Sequence, residues 1–166
     1  MFRKIDDFLE QWVSESDATV KVFSYLTNAS LSQKVTAEGR TIGRLAWHIV
    51  TTLGEMMERT GLTLDAPAEN AEVPTTVSEI IEAYKKVSDS LVKQVKQHWT
   101  DEALSESVEM YGDTWRKGVV LSVLILHQVH HRAQITILMR QAGLKVPGVY
   151  GPAREEWQNY GVPPME

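Results

Sequence analysis

The chain has 166 residues, 43% of them hydrophobic and 23% charged, which is the size and composition of an ordinary globular domain, and it reads as a single domain over 1–166. Seventeen Lys and Arg against twenty-two Asp and Glu leave a net charge of −5, which argues against nucleic acid as a partner. Cysteine is absent, so disulfide frameworks, thiolate zinc sites, iron–sulfur clusters and cysteine nucleophiles are excluded together, and transition-metal chemistry falls to five histidines.

The N-terminal run Met1-Phe2-Arg3-Lys4-Ile5-Asp6-Asp7 turns acidic at once and does not read as a secretory signal. The longest apolar run, Gly118 to Leu126, is far short of the roughly 20 residues of a membrane span. No membrane partner and a cytoplasmic location are therefore expected.

Four stretches carry apolar residues at helical spacing. A first helix is predicted over 3–28, with Ile5, Phe8, Leu9, Trp12, Val13, Val20, Phe23 and Leu26 on one face. A second begins at the candidate N-cap Thr41, carries Ile42, Leu45, Ile49, Leu53 and Met56, and stops at Gly61. Leu62 to Thr75 holds two prolines and no helical stripe, and a connection this long can run back along a bundle. The third helix opens on the capping box Thr76-Val77-Ser78-Glu79 and continues through Ile80, Ile81, Tyr84, Val87, Leu91, Val92 and Val95.

Residues 100–117 fit either a short hairpin around Tyr111-Gly112-Asp113 or a packed loop. From about Lys117 to Ala142 a fourth helix is apolar over most of its circumference, which predicts a central position, and it ends at Gly143. The tail from Val146 holds four of the six prolines, and Trp157 and Tyr160 are expected to pack part of it on the body. The pattern as a whole is all-α, a four-helix bundle.

Three of the five histidines fall within five residues of the fourth helix: His127, His130 and His131. Side chains four apart on a helix stand one above the other, their Cβ atoms about 5–6 Å apart, so His127 and His131 can address one ion. His127 and His130 can do so at a spacing of three. Gln134 and Val123 continue the second side, whereas Leu124, Ile135 and Leu138 continue the first, so burial favours His131. His48 lies mid-way along the second helix, and in a bundle it can meet the pair in the core, giving three imidazoles suited to Zn, Ni, Fe or Cu with positions left open for water or substrate. The competing reading is a set of core histidines bonded to backbone carbonyls. His98 falls in the last turn of the third helix, where a cation suits the dipole, and receives no function. Glu55 reads as a surface carboxylate or a proton acceptor near His48. Trp47 reads as packing on a neighbouring helix, and Met56 and Met57 as core filler.

Thr41-Ile42-Gly43-Arg44-Leu45-Ala46-Trp47-His48-Ile49 and His127-Gln128-Val129-His130-His131-Arg132-Ala133-Gln134-Ile135 resemble the DinB-like family, the DinB/YfiT superfamily. Val146-Pro147-Gly148-Val149-Tyr150-Gly151-Pro152 and Glu155-Glu156-Trp157 extend the resemblance over nearly the whole chain. It implies a four-helix bundle with a long crossover between helices 2 and 3, a divalent metal on His48, His127 and His131, and a homodimer. His130 belongs to the motif without ligating.

The resemblance also implies transferases and isomerases that use bacillithiol, mycothiol or glutathione in stress or detoxification chemistry, with a small-molecule electrophile or thiol as substrate. Metal charge would favour the thiolate of an incoming thiol; water activated in the same way would give a hydrolase. A metal-binding stress-response or interaction protein without turnover is the non-enzymatic alternative. Near the histidines the sequence offers only Arg44 and Arg132 as cationic side chains for an anionic thiol.

Overall fold

A computed structural model describes residues 1–164. Four long helices run in the order α1 (Ile5–Phe23), α2 (Ile42–Glu58), α3 (Val77–His98) and α4 (Lys117–Gln141). An antiparallel hairpin, β1 (Ser107–Met110) and β2 (Asp113–Arg116), precedes α4 directly. Short 3-10 turns at Asn28–Ser32, Glu102–Ser105 and Arg154–Tyr160 complete the ordered elements. α1 packs against α3 and α4, and α2 packs against the same two helices, so α1 and α2 occupy opposite corners of the bundle. Among the described residues no helix is long and apolar enough to cross a membrane.

Local chemistry explains the helix ends. The Thr41 hydroxyl accepts the Arg44 N–H at 3.1 Å, capping α2, and Thr76 and Glu79 bond reciprocally at the start of α3. α2 closes through Leu62 N–H to the Met57 carbonyl at 3.1 Å, which requires the left-handed φ of +85° at Gly61. α1 stops at Phe23, five residues before the predicted end. Tyr25 and Leu26 turn back with i to i−3 bonds, and Thr27 and Ser30 capture each other's backbone N–H to start a 3-10 turn instead. Leu26 is nonetheless buried, which is why the apolar stripe overshot the helix.

Phe8, Trp12, Phe23, Ile49, Leu53, Met57, Tyr84 and Leu91 form the middle of the core. The Trp12 indole donates to Ser88 Oγ at 2.9 Å and the Tyr84 hydroxyl to Gln128 Oε1, so the polar tips of both aromatics are satisfied. No regular element lies between α2 and α3, and this crossover lies tightly on α2. A Cβ built on Gly54 would stand 2.6 Å from that of Ala66, and the Trp47 indole donates to the Ala71 carbonyl at 3.1 Å. Trp47 is thus buried in the core with its indole N–H tied to the crossover.

Three expectations about packing change. Val13 is exposed, and the buried face of α1 continues from Trp12 through Glu15 and Thr19 instead. α4 is not enclosed all round, since Leu126 and Ile137 are 64% and 60% exposed. Trp157 is half-buried, but Tyr160 is exposed and does not anchor the tail. Residues 107–116 form the hairpin alternative, with Val108 opposite Trp115.

Candidate metal centre

Facing positions of α2 and α4 bring His48, His127 and His131 together, each offering one ring nitrogen within 4.8 Å of the other two. Their ring centroids are 4.5–5.0 Å apart. The Nε2 atoms of His127 and His131 approach to 3.2 Å. Two nitrogens each about 2.0–2.1 Å from one tetrahedral ion would stand about 3.4 Å apart, so this spacing suits a shared cation. A hydrogen bond between the two imidazoles also explains that single approach, but not the arrival of His48 from another helix.

The surroundings orient the rings. His131 Nδ1 lies 2.8 Å from Gln134 Oε1, so it carries the proton and leaves Nε2 with a free lone pair. Gln134 in turn directs its amide nitrogen to His130 Nε2 at 3.0 Å. His130 is exposed and outside the triad, where it fixes the direction of the Gln134 amide. Thr52 Oγ1 lies 3.3 Å from His48 Nδ1, so the opposite nitrogen of that ring is the one left for an ion.

All three rings are held neutral. Burial, then the positive charge that His131, Arg40 and Arg44 would present, pushes His48 down to about 4. Burial and the neighbouring His131, His48 and His130 push His127 down to about 4. Burial also lowers His131, against an upward pull from Gln134. Neutral imidazole is the ligating form, so no proton has to be displaced near pH 7.

A cavity of about 550 Å³ opens beside His48 and His127, with Arg40, Arg44, Glu55, Arg59 and Tyr111 in its wall. The Tyr111 hydroxyl donates to Glu55 Oε2 at 2.6 Å, and Arg59 Nε donates to Oε1 at 2.7 Å. The Arg59 guanidinium also lies 4.5 Å from the centre of the Tyr111 ring. Tyr111 sits at the hairpin tip with φ of +57°, a left-handed conformation uncommon for a bulky residue. A second cavity of about 440 Å³ touches His131 from another side, with an apolar wall of Val35, Leu45, Ile137 and Leu138. Arg40 borders both.

Residues 1–165 match the DinB family. The chain belongs to that family. It is 46% identical over 162 residues to a Bacillus subtilis (strain 168) relative named "Uncharacterized protein YrdA", covering 98% of this chain and 97% of the relative. A DinB-like protein from Bacillus cereus ATCC 10987, whose crystal structure is known, is 41% identical with a TM-score of 0.87, over 90% of this chain and 100% of the other. The DinB-like protein YjoA of Bacillus subtilis shares the fold, with 14% identity and a TM-score of 0.67 over 86% of this chain and 97% of YjoA.

In this DinB-family chain the two cationic residues expected near the histidines part company. Arg44 lines the cavity. Arg132 points to the opposite side of α4 and is buried against α1, with Nη2 at 2.6 Å from Glu15 Oε2 and Nη1 at 2.9 Å from the Glu15 carbonyl. Glu55 is a cavity carboxylate and not an ordinary surface one. Met56 and Met57 both fill the core, and Met56 also lines the cavity. Arg40, Arg59 and Tyr111 were missed. Arg59, at the C-terminal end of α2, falls eleven residues after His48, a spacing that places it on the same face, whereas Arg40 precedes the extended N-cap Thr41 and has no helical signal. Tyr111 arrives from a distant hairpin and has no local signal.

Proposed function

We propose that this DinB-family chain is a divalent-metal-dependent enzyme that transfers a low-molecular-weight thiol, of the bacillithiol type, to a small-molecule electrophile. The convergence of three neutral imidazoles at the wall of a ligand-sized cavity carries this reading. His48, His127 and His131 are the proposed ligands for Zn, Ni or Fe, whose charge, when bound, would favour the thiolate form of a thiol beside it. Gln134 and Thr52 hold the rings of His131 and His48 in orientation.

The second cavity supports transfer between two organic reactants over hydrolysis. Its apolar wall suits an electrophile, and the polar cavity suits the thiol. In the reaction the thiol sulfur forms the new bond to carbon, the leaving group departs with the electron pair of the broken bond, and the thiol proton goes to a base. Glu55, one of two carboxylates in the polar cavity, is the proposed acceptor of that proton. The sulfur must come from the small molecule, because the chain has no cysteine.

The test is metal analysis of protein purified without chelators, followed by conjugation of monochlorobimane with bacillithiol and other thiols. One equivalent of metal and thiol-dependent turnover are expected. Stoichiometric metal without turnover across several thiols and electrophiles would replace the enzyme by a metal-binding protein. Failure to retain or reload metal would remove the site itself.

A further inference from the structure

Arg44 is one turn before His48 on α2, Arg40 lies just ahead of the N-cap Thr41, and all three line the polar cavity. Neither arginine forms an ion pair among the described residues. Arg59, in the same wall, is different, since Glu55 holds it at 2.7 Å and Glu109 lies at 3.6 Å. Three guanidiniums thus face two carboxylates, Glu55 and Glu69, and one of those carboxylates is already engaged.

The chain as a whole carries −5, so this cavity reverses the sign of the molecule. Charge of one sign focused in a concavity selects ligands of the other sign. Arg44 also lies in the first turn of α2, where the helix dipole adds to the positive potential. A guanidinium is planar and matches a carboxylate or phosphate with two parallel N–H donors.

We propose that Arg40 and Arg44 form an anion clamp, which holds a carboxylate or phosphate group of the small molecule whose reactive end meets the histidine triad. The clamp names the ligand class of the site proposed above and rests on that reading for the reaction, but anion binding itself needs no metal. Arg40, bordering both cavities, is the arm that reaches toward the second reactant. Glu69 opposes the clamp from the same wall.

Calorimetric titration of succinate, inorganic phosphate and neutral succinamide, into chelator-treated and zinc-loaded protein, tests it. Succinate or phosphate should bind both forms while succinamide does not, and the tighter of the two identifies the anion as carboxylate or phosphate. Arg40→Gln and Arg44→Gln should each weaken binding about tenfold, the double substitution should remove it, and Glu69→Gln should tighten it. Arg3→Gln, remote from the cavity, is the charge control. Wild-type anion binding in both arginine variants, or no anion binding in either form, overturns the clamp. Binding to the zinc-loaded form alone that survives both arginine substitutions and is lost in His131→Ala overturns the clamp and leaves the metal site standing. Arginine-dependent binding by a protein that retains no metal supports the clamp while the metal reading fails.

Discussion

Gln134→Ala probes the shell around the triad without touching a proposed ligand. Gln134 Oε1 accepts from His131 Nδ1 at 2.8 Å, an ordinary N–H···O bond whose loss costs about 0.5–1.5 kcal/mol when water can replace it. Partners that fix the tautomer of a ligating histidine change metal affinity by about 10–100-fold. Gln134 is exposed, so water fills the vacated position and the lower end applies, about tenfold or about 1.4 kcal/mol. His130 acts one bond further out, through the Gln134 amide at 3.0 Å, so His130→Ala should change affinity by no more than about threefold. Competition with a chromogenic chelator at pH 7.5 reads both effects, and the melting temperature of the metal-free protein should not move. Unchanged affinity in Gln134→Ala would show that the amide does not set the ring. A loss as complete as that of His131→Ala would make Gln134 a ligand and refute the three-imidazole site.

His48→Ala, His127→Ala and His131→Ala should each abolish tight zinc retention by elemental analysis, and retention in any one would remove that residue from the set. Lowering the pH should leave zinc affinity nearly flat down to about 5 and then reduce it as His48 and His127 approach the values near 4 to which burial lowers them; a fall beginning at 6.5 would contradict this. The metal-free fold should lose stability in urea melts over a wider interval, from pH 6.5 down to about 4. Above the unfolded value of 6.5 neither state takes a proton on these rings, and between 6.5 and about 4 only the unfolded chain does. Arg132→Met should destabilise by about 3–5 kcal/mol, because it leaves Glu15 charged and buried, and Glu15→Leu in addition should restore part of it; a change under about 1 kcal/mol would refute the buried pair.

The helices were legible because their faces and caps are local. Thr41, Thr76 with Glu79, Gly61 and Gly143 each act within a few residues of the boundary they set. The preference for His131 over His130 followed from burial: Leu124, Ile135 and Leu138 on its side are buried, while Gln134 and His130 are exposed. The hairpin could not be chosen over a loop because its two central residues, Tyr111 and Gly112, both take positive φ. Asn-Gly or Asp-Gly announces that turn, whereas a tyrosine at the first position does not. The cavity wall was least legible, since Tyr111 meets Glu55 across 56 residues. Arg132 misled for the opposite reason. It neighbours His131 in sequence, but adjacent helical residues point in different directions.

That divergence gives the run from His127 to Gln134 two tasks on two faces of α4. His127, His130, His131 and Gln134 make one connected set of ring and amide contacts toward α2. Arg132, one residue from His131, anchors the other face to Glu15 and Thr19 of α1, and the Tyr150 hydroxyl of the tail bonds the same Glu15 at 2.9 Å. A buried, multiply bonded guanidinium resists both rotation and sliding of the helix that carries it. Placed beside His131, it fixes the azimuth of α4 at the residue where an error of one ångström would separate the imidazoles from His48. The ion pair is therefore structural in its contacts and positional in its effect on the triad, and the tail residue Tyr150 belongs to the same support.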